Sequence, residues 1–218
     1  MILLGGKKKI LLTYKPSGVL CNQIKNKKNL QTRVSQIFKD TFWPVNRLDK
    51  MAEGWIMYSN SERIIKKIKK EWICSLREYW VICKNSIPLK TYTFYCRKIG
   101  NRTEYKWKYF DRATRCTSHV MSIVKLNNWY AVKVKNSTGF THQIRVLVRL
   151  LGSYVIGDLL YKKKQSKVEN LLLAATKLKV SNLTLNERKY VFHAESTLST
   201  RLKYAIIKDF RNKYIDQL

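Results

Sequence analysis

Acid is scarce in this chain. Its 218 residues hold 14 Asp and Glu against 44 Lys and Arg, a formal charge of +30 at pH 7. A compact body so charged repels itself at low salt, so the composition points to a polyanionic partner. Proline (3) and glycine (8) are also few, which excludes collagen-like and linker-like chains. Histidines occur only at positions 119, 142 and 193, too scattered for a metal site, and no metal or membrane partner is expected. Five cysteines (Cys21, Cys74, Cys83, Cys96, Cys116) are odd in number, widely spaced and free of any C-x-x-C. That argues against a disulfide framework or a structural zinc site and predicts free thiols in a reducing, intracellular compartment. No apolar run approaches the roughly 18–20 residues that cross a bilayer. The apolar start Met1–Leu4 is too short for a signal-peptide core, and lysines follow it instead of preceding it.

What the chain does have is core-forming material. Apolar residues make up 45% and aromatics 12%, with 13 Tyr, 7 Phe and 6 Trp, so a disordered basic tail is excluded. With no internal repeat or low-complexity linker, the length predicts one domain over residues 1–218. Residues 10–20 (ILLTYKPSGVL) read as a strand running into a Pro/Gly turn. A lysine-rich segment follows, partly helical around Thr32–Lys39. Trp55–Tyr58 reads as a strand. After Ser61, a candidate N-cap, Ile64, Ile65 and Ile68 define one side of a lysine-rich helix. From Glu78 to Val134 the texture is that of strands: REYWVICK, KTYTFYCRK, SHVMSIVKL and WYAVKVK mix β-branched and aromatic residues. A helix fits Thr141–Leu151, and residues 162–170 form a basic loop. Two strands follow in LLLAATKLKV and KYVFHAE, then a basic helix near the C-terminus. Mostly antiparallel strands with a few helices describe an α+β fold.

Three stretches pack polar residues among apolar ones. Asn46-Arg47-Leu48-Asp49-Lys50, followed by Gly54, sets one carboxylate between two cations. Read locally, it is a surface ion pair. In Ser137-Thr138-Gly139-Phe140-Thr141-His142-Gln143-Ile144-Arg145 a turn opens a helix whose first residues carry donors, suited to a phosphate or carboxylate. The bland reading is a capped amphipathic helix with an exposed arginine. Gly157-Asp158-Leu159-Leu160-Tyr161 alone is merely a turn.

Their order and spacing say more. Lys15–Leu20 (KPSGVL), then R-L-D, then Arg77-Glu78-Tyr79, then T-G-F-T-H-Q-I-R-V (residues 138–146), then G-D-L-L-Y, then Leu173-Ala174-Ala175 resemble the RluA-type pseudouridine synthases over roughly residues 10–195. The resemblance implies a mixed, mostly antiparallel sheet with a cleft for a uridine flipped out of RNA, and neither cofactor nor metal. It implies Asp49 as the carboxylate that begins breaking the bond between uracil and C1′ of ribose. Tyr79 would stack on the base, and Arg145 would pair with the carboxylate and keep it ionised. Arg47 would hold the RNA open, and Lys15, Lys50, Thr141, His142 and Gln143 would join it in binding RNA. Lysine runs at 7–9, 66–70 and 162–164, with Trp43 and Trp107, are further candidates for phosphate contact and base stacking.

Departures from the family's usual residues surround this triad. Asn46 stands for a His, Ala52-Glu53 for Thr-Ser, Phe140 for an Arg, Leu159 for a Pro and Ala174 for a His. Glu53 brings a second acid close to Asp49, where a charge pointed into the cleft would raise the pKa of Asp49 and repel phosphate. The leading expectation is an isomerase acting on ribosomal or transfer RNA. Its rival is a catalytically reduced RNA-binding component of a ribosome or of its assembly, alongside ribosomal particle proteins. The two differ in whether RNA yields pseudouridine and whether Asp49→Asn matters. A DNA-binding regulator finds no helix-turn-helix pattern to support it. A mitochondrial matrix setting suits a basic, altered relative, with the cytoplasm as the alternative.

Overall fold

The computed structural model describes residues 9–22, 29–70, 76–100, 102–161, 170–185 and 188–195. The predicted C-terminal helix, nearly all of the basic loop, Lys7, Lys8 and Cys74 lie outside them. The chain divides into two compact units, one running to Arg77 and resuming at Ala175, the other built on Glu78–Ala174.

In the first unit, β1 (Ile10–Lys15) and the two-residue β2 (Trp43–Pro44) both pair antiparallel with β3 (Glu53–Ser59). β3 also neighbours β9 (Leu173–Leu185), which pairs antiparallel with β10 (Arg188–Glu195). Helix α1 (Leu30–Phe38) starts on Asn29, whose Oδ1 accepts the Thr32 amide at 2.8 Å. It ends on Lys39 in the left-handed region, a Schellman-type stop. Helix α2 (Glu62–Lys70) carries its three isoleucines inward and its lysines outward. Side chains alternate across a strand, so consecutive β1 residues reach opposite layers. Ile10 and Leu12 join Met57 and the α2 isoleucines, while Leu11 joins Ile56, Tyr58 and the α1 residues Leu30 and Val34. A strand covered on both faces needs no polar alternation, and this one reads I-L-L.

The second unit is built on strands in the order β4-β8-β7-β5-β6: β4 (Leu76–Cys83), β8 (Tyr130–Asn136), β7 (Thr114–Lys125), β5 (Thr91–Ile99) and β6 (Arg102–Lys106). All four pairings are antiparallel. The register gives the sheet two unlike faces. One carries Tyr79, Val81, Phe94, Cys96, Cys116, Ser118 and Val134, with α3 (Gln143–Leu150) joined to it through Gln143 and Ser118. The other carries Trp80, Ile82 and Ala131, closed by Ile156, Leu172 and Ala174. Together the elements make an α+β fold with a mixed, mostly antiparallel sheet structure. The polar strand β6 went unforeseen, and α3 begins at Gln143, later than the predicted Thr141, because His142 takes a left-handed φ of 60°.

Candidate active site

The R-L-D residues lie on a loop that folds back onto the Pro/Gly turn after β1. Lys15 is fully buried, and its Nζ donates to the carbonyls of Pro16 (3.0 Å), Val19 (2.8 Å) and Lys50 (2.9 Å). Gly18 N also donates to the Lys50 carbonyl, and Ser17 Oγ donates to that of Met51. Three ammonium protons meet three carbonyls, so the expectation that Lys15 contacts RNA is corrected: it ties the turn to the Asp49 loop. Burial pulls the Lys15 ammonium down to about 8, while Cys21, Asp49 and Glu53 push the other way. Both carboxylates therefore act on one interior cation.

Cys21 fastens the same loop one residue before the aspartate. Its thiol donates to the Leu48 carbonyl (3.0 Å) and its sulfur accepts the Leu48 amide (3.1 Å). Burial raises the thiol's pKa, which favours the protonated form that donates. Asn46 bridges backward, its Nδ2 donating to Trp55 O and its Oδ1 accepting from Met57 N. Arg47 and Lys50 are exposed and Asp49 is half-buried between them. At the loop's far end Gly54 has φ +125°, where a Cβ would run into the Ala175 backbone.

In the second unit the T-G-F-T-H-Q turn is a closed hydrogen-bond cycle. Gln143 Oε1 accepts from Thr138 Oγ1 and Phe140 N, both at 2.9 Å, while its Nε2 donates to Thr117 O and Ser118 Oγ. Every polar group of that side chain is occupied inside the fold. The expectation that Gln143 binds RNA is thus corrected to a brace between α3 and the sheet. Thr141 accepts at its carbonyl from Thr103 Oγ1, and its side chain is half-exposed, as is that of His142.

Arg145 is 6% exposed, against the bland reading of a solvent-facing arginine. Its Nε and Nη2 each donate at 2.8 Å to the two oxygens of Asp158. Asp158 Oδ1 also accepts the amides of Leu160 and Tyr161, so the G-D-L-L-Y turn is wound around one carboxylate. Tyr161 then lies 5.1 Å beneath the Arg145 guanidinium, bonds His142 Nδ1 at 2.8 Å and accepts the Thr103 amide. Residue-by-residue reading missed Asp158 and Tyr161; the compact G-D-x-L-Y spacing was the available signal. Tyr79 stands half-buried opposite Val134, on the sheet face that α3 joins. The positions that depart from the family pattern are filled consistently: Ala174 sits in the core and Leu159 is exposed.

Comparison with known proteins shows the fold and the family. A family model described as RNA pseudouridylate synthase matches residues 9–149. An uncharacterized RNA pseudouridine synthase of Haemophilus influenzae is 25% identical over 176 residues, covering 79% of each chain. The structure of human RNA pseudouridylate synthase domain containing 4 superposes with a TM-score of 0.72 at 15% identity, over 96% of this chain and 92% of that one. Human RNA pseudouridylate synthase domain containing 1 gives 0.66 at 16%, over 95% and 93%. With the match spanning the Asp49 loop, the Tyr79 strand and the Arg145 helix, the chain belongs to the RNA pseudouridylate synthase family.

Proposed function

We propose that Asp49, Tyr79 and Arg145 together isomerise a uridine in ribosomal or transfer RNA. Asp49 begins cleavage of the bond between uracil N1 and ribose C1′. The freed base turns under Tyr79 and rejoins C1′ through C5, and the C5 hydrogen leaves as a proton while N1 gains one. Atoms and electrons balance without an outside reactant. Arg145 supplies the positive charge the reaction calls for, and its orientation is set by Asp158. Arg47 and Lys50, exposed on either side of Asp49, meet the phosphates of the opened strand.

The observation that carries this reading is the fastening of the Asp49 loop by Lys15 on one side and Cys21 on the other. A reacting carboxylate must be held in place before the substrate arrives, and a mere surface ion pair needs no such support. The test uses RNA tritiated at uridine C5, from which isomerisation releases label into water. The natural chain releases it. Asp49→Asn lowers the rate at least about a thousandfold, some 4 kcal/mol of barrier, while RNA affinity stays within about twofold. Equal release by both chains would refute the assignment.

We place the substrate in ribosomal RNA and the protein in the mitochondrial matrix. The +30 charge, more than one uridine-bearing stem requires, supports ribosomal RNA, and a mitochondrial ribosome suits so basic and altered a family member. Sedimentation of the tagged protein with mitochondrial ribosomal particles, in company with their proteins, tests the placement; a soluble cytoplasmic pool bound to transfer RNA would overturn it.

A further inference from the structure

The second unit's sheet has a face that catalysis leaves unused. At the β4–β8 end the side away from Tyr79 is closed by Ile156, Leu172 and Ala174. At the β5–β6–β7 end the same side bears a different surface. Tyr95 stands at its centre, with Lys106 opposite on β6 and Arg115 opposite on β7, so one cross-strand row reads cation, ring, cation. The neighbouring row pairs Arg97 with Glu104.

The β6–β7 connection is fixed over this row. Arg97 Nη2 binds Glu104 at 2.7 Å, and its Nη1 donates to the Asp111 carbonyl at 3.1 Å. Its guanidinium lies 5.3 Å from the centre of Phe110, with Lys106 Nζ at 5.0 Å from the same ring. Phe110 O accepts the Ala113 amide, closing a turn in which Arg112 takes a left-handed φ of 54°. The turn presents Tyr109 edge-to-face against Tyr95, with ring centres 5.7 Å apart and Tyr109 66% exposed. Trp107 is half-committed elsewhere, leaning on Tyr92 and Phe94 toward the other face. Within residues 97–115 seven Lys and Arg accompany only two acids, Glu104 and Asp111.

We propose that this Tyr95–Tyr109 platform is a second RNA site, taking a single-stranded segment whose bases stack on the rings while Lys106 and Arg115 meet its phosphates. Rings held in advance by a salt-bridged turn stack without an ordering cost, and cations on both flanks match a strand's charge. The site lies on the face opposite Tyr79, so RNA held here is RNA beyond the nucleotide being modified. It gives part of the surplus charge a location.

A fluorescent 12-nucleotide oligocytidylate, which offers no uridine, tests the platform by anisotropy at several salt concentrations. The natural chain binds. Tyr109→Ala weakens binding about tenfold. Lys106→Gln with Arg115→Gln lowers the slope of log K against log salt by about 1.4, about 0.7 for each lost phosphate contact. Tyr109→Phe, which keeps the ring, binds as the natural chain does, and unchanged circular dichroism shows that the variants fold. Failure of the natural chain to bind the probe, or affinity and slope unaltered in these variants, overturns the proposal. So does an acidic protein displacing the probe with no loss of affinity for it in Tyr109→Ala. Because the probe has no uridine, absent tritium release would refute the catalytic assignment and leave the platform standing.

Discussion

Arg145 and Asp158 share two parallel 2.8 Å hydrogen bonds while both are almost wholly buried. An arginine in this position is held in one plane by its partner, and the partner is held in turn by two backbone amides. Asp158→Asn takes the bidentate carboxylate from a buried guanidinium and costs about 3–5 kcal/mol, read from urea unfolding. Replacing both, as Arg145→Met with Asp158→Leu, restores most of that stability but none of the tritium release. Equal recovery of both properties would make the pair purely structural.

Lys15 gives the reaction an alkaline limit. Its folded pKa, lowered to about 8, lies below the ordinary 10.5, so between those values the unfolded chain binds more protons. The cost of burying the charge is therefore fully present below pH 8, and overall stability rises from there toward 10.5. Locally the effect is opposite: a neutral amine has two protons for three carbonyls, so the Asp49 loop loosens. The expected kcat/KM profile falls with a midpoint near 8 while thermal stability does not, and Lys15→Gln, already slow, shows no such limb.

Cys21 separates positioning from binding. Cys21→Ala removes both bonds to Leu48 and lowers kcat about tenfold with KM unchanged, whereas Cys21→Ser, which can donate and accept, recovers most of the rate. A matched fall in stability with no change in kcat would reduce the thiol to packing.

Two glycines with positive φ predict unequal costs. At Gly18 nothing lies within reach of an added Cβ, so Gly18→Ala carries only backbone strain of about 1 kcal/mol. At Gly54 the same change meets the Ala175 backbone and costs on the order of 3 kcal/mol or more. Melting curves of the two variants give the comparison.

β8 was legible because Val132 and Val134 turn to one face while Lys133 and Lys135 turn to the other: the run alternates and is a strand. β6 was not, because Arg102-Thr103-Glu104-Tyr105-Lys106 is polar throughout and becomes a strand through its pairing with β5. The Arg145 segment was legible from T-H-Q-I-R-V, but Asp158, thirteen residues on, owes its importance to a turn that brings it back. Lys15 illustrates the limit most clearly. Sequence marks it as a basic residue before Pro16, and nothing local tells that its charge is spent on three carbonyls inside the fold.

Asn46 fills the place that a histidine holds in the family pattern, and its amide joins Trp55 and Met57. A carboxamide has no proton to gain between pH 5 and 8, whereas an imidazole there would change charge in that range. This crossbar is consequently indifferent to acidification. Any decline in turnover toward low pH therefore owes nothing to this position.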